Sequence, residues 1–262
     1  MRCKQGFSFI ILFILLPLVM VMITAFIDFS AQRSRNLNML TRKITCKTNA
    51  KKILLHIFQE WDTYQQIEKQ TFQDFEIYIM HEDAKINLRN IINSKMEIDL
   101  FWEKVMRTIT KLHQCPIDEH WNALIKFLST SQDNADCLLD DINESVPGFV
   151  LFQDKLTLHS TGKININKAS SIVLQALSEH WVIADIEQLL IKREKQFFEN
   201  YEQVADYFFN QPLVWNDIKD HIRVDTHFFR IQIRSMLDKT LILDIIVKHE
   251  DSGWKIIEWN EL

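Results

Sequence analysis

The chain has 262 residues, of which 47% are apolar and 25% charged, with a formal net charge of −5. That balance fits a packed globular protein and argues against a general nucleic-acid binder, which needs a cationic surface. Four glycines and four prolines exclude a linker-rich or low-complexity chain.

The chain opens with a charged leader, Met1-Arg2-Cys3-Lys4-Gln5-Gly6, followed by an uncharged apolar run from Phe7 to Ile27. At about 1.5 Å per residue the run reaches roughly 30 Å, the thickness of a bilayer hydrocarbon core. A secretory signal has a shorter apolar stretch, about 7–15 residues, and a small-residue cleavage site behind it. No such site follows here. The small residue in a telling place is Gly6, ahead of the run, so a cut there would leave the membrane helix on the mature protein. Charge counting alone does not set the orientation: Arg2 and Lys4 precede the run, while Arg33, Arg35, Arg42 and Lys43 follow it.

Past the run, Leu37, Leu40 and Ile44, then Leu54, Ile57, Trp61 and Tyr64, recur at three- and four-residue steps. This spacing predicts an amphipathic continuation of the first helix over 28–70, weakened at the polar stretch 45–49. Phe75 to His81 alternates as a strand does, and His81 to Ala84 reads as a turn into Lys85-Ile86-Asn87-Leu88, predicting a strand hairpin over 71–88. Helical patterns fill 89–222, at 97–112, 118–128, 135–142, 170–177, 184–197, 201–208 and 214–221. Phe229 to Arg234 alternates strictly, and short turns lead to strands at 241–248 and 254–259, an antiparallel meander over 223–262. The fold class expected is α+β: a long N-terminal membrane and amphipathic helix, an antiparallel sheet and an inserted all-α domain.

The short leader ending in Gly6-Phe7 before an apolar run resembles the class III leader of type IV prepilins and type II secretion pseudopilins. A prepilin peptidase cuts that leader between Gly and Phe. The family usually carries Glu at mature position five, where this chain has Ile11. One member characteristically lacks the Glu: the minor pseudopilin K of type II secretion, general secretion pathway protein K. Two segments, Lys85-Ile86-Asn87-Leu88 and Lys163-Ile164-Asn165-Ile166-Asn167, echo one another and resemble that family's paired segments bracketing a helical domain. Phe228-Phe229-Arg230-Ile231 resembles its entry to the final strands. The element order carries the likeness along essentially the whole chain, giving a pilin-like head. The helical insert is shorter than the family's, and its acidic segment is only faintly echoed by residues 139–144.

The resemblance implies a non-enzymatic tip subunit of a type II secretion pseudopilus that assists protein export across the outer membrane. Residues 1–6 would be the leader and 7–27 the transmembrane helix, with Gly6 and Phe7 the processing site and Phe7 methylated. Ile10, Ile11, Ile14, Pro17 and Leu18 would pack in the membrane and the filament. The implied partners are the I- and J-type minor pseudopilins, the pseudopilus and prepilin peptidase. The place is the bacterial inner membrane, single-pass, with the C-terminal domain periplasmic. Some tip subunits of the family bind calcium, but those ligands do not map onto this sequence, so no cofactor is assigned.

Leader removal takes Cys3 and leaves Cys46, Cys115 and Cys137. In an oxidising compartment Cys115 and Cys137 are the natural disulfide pair; three free thiols are the alternative. Two other functions use the same residues. A minor pilin of a type IV pilus or competence system shares the leader. Ile166 to Ala169, two helices and Tyr201 to Val204 resemble the helix-hairpin-helix of membrane-anchored DNA-uptake receptors. Its hairpin, Leu177 to Val182, lacks glycine, and Lys163 to Ile222 holds six Lys and Arg against nine Asp and Glu. Such a segment repels a duplex and reads as a packing module. No catalytic motif and no metal-ligand spacing occurs among the nine histidines.

Overall fold

A computed structural model describes residues 3–65, 67–92, 97–113, 124–126, 128, 151 and 153–261, with side chains in the first helix described from Leu16 onward. The chain divides into two compact units, Met1–Glu60 and Trp61–Leu262.

The first unit is one helix, α1 (Cys3–Gln59). Its 57 residues rise about 85 Å at 1.5 Å each. Pro17 lies inside it, and no Gly or Pro occurs from Leu18 to Gln59. The polar stretch does not break the helix. Thr45 and Thr48 donate their hydroxyls to the carbonyls of Thr41 and Ile44, both at 2.9 Å, so these side chains find their partners within the helix. Leu54 and Ile57 are buried, whereas Leu37, Leu40 and Ile44 are exposed.

The second unit is built on a five-stranded antiparallel sheet whose neighbours run, in order, β1 (Lys69–Phe72), β2 (Phe75–His81), β7 (Phe228–Ser235), β8 (Leu241–Glu250) and β9 (Gly253–Glu261). A short helix, α2 (Trp61–Tyr64), precedes β1 and β2. β7, β8 and β9 form the expected meander. In β7, Phe229, Ile231, Ile233 and Ser235 are buried and the residues between them are half-exposed, the two-residue period that the sequence displays. The hairpin expected over 71–88 is shifted. β2 turns back onto β1 through Gln73 and Asp74, and residues 82–90 leave the sheet as short 3-10 turns around a two-residue strand.

Between β2 and β7 lies the helical insert. Its described helices are α3 (Leu100–Leu112), α4 (Ser171–Leu177), α5 (Ile183–Lys195), α6 (Tyr201–Tyr207) and α7 (Pro212–Ile218). Side-chain caps fix several starts: Asp99 accepts from Phe101 N and Trp102 N, Ser170 from Val173 N and Asn200 from Gln203 N. The insert has its own apolar core, centred on Met106, Ile109, Leu174, Leu189, Val204 and Phe208; among the described residues, none of its apolar members comes from the five-stranded sheet. Trp102 and Trp181 are buried there, and Trp215 packs beside them. The helices expected at 118–128 and 135–142 lie largely or wholly outside the described residues.

Two parallel bridges frame the insert. β3 (Ile86–Asn87) pairs with β4 (Leu156–Thr157), and β5 (Ile164–Asn165) pairs with β6 (Ile222–Arg223). These are the two echoed segments, and they use one local device. Asn87 accepts from Arg89 N and Asn165 accepts from Asn167 N, each at 2.9 Å, so each asparagine folds its own chain into a tight turn.

Candidate assembly surface

Glycine at position 6 and phenylalanine at position 7 both lie within α1, with no helix break between them. Ile10, Ile11, Ile14, Pro17 and Leu18 follow on the same helix. Where side chains are described, the apolar segment is exposed on every side: Leu18 57%, Met20 65%, Val21 66%, Phe26 70% and Ile27 57%. An apolar surface this continuous belongs against lipid or against other helices rather than water. The helix is long and apolar enough to cross a membrane. The exposed Leu37, Leu40 and Ile44 extend an apolar stripe beyond the run. Cys46 is half-exposed with a free thiol. Cys115 and Cys137 lie outside the described residues.

The head is organised around a buried carboxylate that sequence reasoning did not single out. Asp83, fully buried, accepts from Thr161 N at 2.8 Å and Thr161 Oγ1 at 2.9 Å on one oxygen. Its other oxygen accepts from His227 N at 2.7 Å and Phe228 N at 3.0 Å. One side chain thus ties the exit from β2, the loop before β5 and the entry to β7. Beside it, Asn167 donates to Phe198 O and Val224 O, and accepts from Phe198 N. Arg193 donates to the carbonyls of Ile166 and Ala169 at 2.9 and 2.7 Å. On the far edge His159 Nε2 meets Glu258 at 3.1 Å, and that hydrogen bond holds the Glu258 carboxyl below the usual range.

One juxtaposition has the look of a nucleophile and base. His81 Nδ1 lies 3.0 Å from Thr226 Oγ1, which also accepts from Asn165 Nδ2 at 2.6 Å. Burial, with Lys168 nearby, lowers the His81 pKa to about 3. A base that weak does not deprotonate a hydroxyl at neutral pH, so the contact is a packing hydrogen bond. Among the described residues no three His, Cys, Asp or Glu side chains gather closely enough to hold a metal.

The hairpin between α4 and α5 is also built for packing. Ser178 donates to Asp217 at 2.6 Å and accepts from His180 N, and Trp181 is buried with its ring 5.4 Å from Phe208. Val182 starts α5 without a side-chain cap, and Val182 and Ile183 are exposed where a phosphate-binding hairpin presents glycine. Phe209 and Leu213, between and on α6 and α7, are exposed at 81% and 60%. Bulky apolar residues at both hairpin tips were the only sequence signal for this surface.

No protein-family model matches the chain, and no curated protein does. Four chains of solved structures match. One belongs to the crystal structure of the GspK-GspI-GspJ complex from the enterotoxigenic Escherichia coli type 2 secretion system, with a TM-score of 0.56 at 12% identity. The match covers 88% of this chain and 99% of that one. At this identity the likeness is one of fold, and this chain's own long apolar N-terminal helix, antiparallel sheet and added helices make up the α+β class expected from the sequence.

Proposed function

We propose that this chain is a non-enzymatic minor pseudopilin at the tip of a type II secretion pseudopilus, assisting protein export across the outer membrane. The observation that carries the reading is the joining of an exposed, membrane-length apolar helix to an α+β head whose sheet is interrupted by a helical insert. The fold likeness to a chain of the GspK-GspI-GspJ complex, over 88% of this chain, supports it. In this reading the chain sits in the inner membrane with its head in the periplasm. Prepilin peptidase cuts between Gly6 and Phe7, and Phe7 is then methylated. Ile10, Ile11, Ile14, Pro17 and Leu18 pack first in lipid and then in the helical bundle of the filament. Ile11 in place of an acid suits a subunit with no neighbour above it, because an unpaired carboxylate in the membrane costs a few kcal/mol. Partners are the I- and J-type minor pseudopilins.

The test is the mass of the mature N-terminal peptide from cells with and without prepilin peptidase. A methylated peptide starting at Phe7, present only with the peptidase and lost in Gly6→Leu, is the expected result. An intact Met1 in both strains, or Gly6→Leu still cut at the same bond, would overturn the assignment.

A further inference from the structure

Charge along the chain is strongly segregated. From Asp28 to Gln59 there are seven Lys and Arg against the single acid Asp28, while the chain as a whole is negative. On the flank of the apolar run that this topology places outside the cytoplasm, an excess of cations runs against the usual rule and needs a physical reason. The nearest of these cations are Arg33 and Arg35, both exposed on an unbroken helix.

Their depth is set by the helix. At about 1.5 Å per residue the backbone of Arg33 lies roughly 9 Å and that of Arg35 roughly 12 Å beyond Ile27, past the outer limit of a headgroup layer about 5–7 Å thick. Side chains on a helix lean towards its N terminus, which here is towards the membrane, so both guanidinium groups reach back to the phosphates. Arg42 and Lys43 start about 22 Å beyond Ile27, out of reach. On this flank both cations whose side chains reach back to the headgroups are arginines, whose planar fork matches a phosphate; the lysines of this flank lie farther along the helix. The two arginines are about 200° apart around the axis, so they face different lipids.

We infer that Arg33 and Arg35 form an anionic phospholipid-binding collar, each holding the phosphate of one headgroup. The inference rests on the reading that residues 7–27 span the bilayer. It is independent of the leader being cut.

The test uses the full chain reconstituted in phosphatidylcholine vesicles carrying trace spin-labelled phosphatidylglycerol or phosphatidylcholine. Electron paramagnetic resonance then measures the lipid held at the protein surface. Wild type should prefer phosphatidylglycerol about fivefold or more at low salt, with the preference falling in high salt. Arg33→Gln with Arg35→Gln should at least halve the ratio, leaving what Arg2 and Lys4 contribute on the other flank, and Arg42→Gln with Lys43→Gln should leave it unchanged. Equal association of both lipids with wild type would overturn the inference. So would an equal loss in the two double variants, which would assign the stalk charge to an acidic protein partner. If neither lipid is immobilised and alkaline carbonate extracts the chain, the membrane reading itself fails. A normal lipid preference in a chain that keeps Met1 leaves the collar standing and removes the pseudopilin assignment.

Discussion

Replacing Asp83 by asparagine should be among the most costly single changes in the head. The carboxylate is fully buried and accepts four hydrogen bonds, two on each oxygen. An amide has one oxygen. Whichever way it is turned, two donors on one side, either those of Thr161 or the backbone N–H groups of His227 and Phe228, face an NH2 group instead of an acceptor. Each hydrogen bond to a charged group contributes about 1.5–3 kcal/mol, so losing two costs about 3–6 kcal/mol, a large share of a typical total of about 5–15. Thr161→Val removes one of the four donors and should cost about 1.5–3 kcal/mol, half as much. The assay is urea unfolding of the full chain in mild detergent, followed by tryptophan fluorescence. Trp61 and Trp254 report on the sheet side and Trp102 and Trp181 on the insert. Hydrogen exchange at residues 161–167 should rise in Asp83→Asn before exchange in β7 and β8 does. If Asp83→Asn unfolds within about 0.5 kcal/mol of wild type, or no more easily than Thr161→Val, then the carboxylate is not the tie described here.

His81 makes stability depend on pH in a defined direction. The unfolded histidine takes its proton near 6.5, whereas the buried one resists until about 3. Below 6.5 the unfolded chain therefore binds more protons, and stability should fall by about 1.4 kcal/mol per pH unit, about 2 kcal/mol between pH 7 and pH 5. Urea midpoints across that range should be flatter in His81→Gln, and an unchanged slope would remove His81 as the cause. Gly162 has φ +84, and a Cβ there would lie 2.9 Å from Asn90 Oδ1. Gly162→Ala should cost about 1–3 kcal/mol, and less in an Asn90→Ala background, so a thermal-melt double-mutant cycle with no coupling refutes the clash. Asn167→Asp replaces the donor to Phe198 O and Val224 O by an acceptor, and should cost about 2–4 kcal/mol by urea unfolding. A cost no larger than that of an exposed substitution would show that water takes over those carbonyls.

Where the sequence was readable, one local rule sufficed. β7 was legible because a strand with one buried face must alternate, and Phe229, Ile231 and Ile233 do. β1 was not, because Lys69-Gln70-Thr71-Phe72 is an edge strand with no fully buried position and so carries no apolar period. Its absence from the reading moved the hairpin onto Lys85 to Leu88. The apolar residues there, Ile86 and Leu88, are buried in the core of the insert rather than in the sheet. The echo between Ile86-Asn87 and Ile164-Asn165 could be seen, but its meaning could not. Asn87 reaches Ser160 O and Asn167 reaches Phe198 and Val224, partners far along the chain that only the fold brings near. Asp83 looked like a turn residue for the same reason. The Gly6-Phe7 pair, proposed above as a cleavage site, shows the opposite case: such a site would be read by an enzyme and leaves no mark on a continuous helix.

The insert enters and leaves the sheet at one place. His81, the last residue of β2, is paired with Phe229 at the start of β7, so these two strands are a hairpin with an outsized loop. The entropy of closing a loop grows only by about 0.6 kcal/mol for each doubling of its length. The sheet is therefore almost indifferent to how much chain is spliced in at that point, provided the splice folds by itself. With its own core and its ends pinned by a single carboxylate, the insert is a cassette. A lineage could lengthen, trim or exchange it while the strands stay as they are.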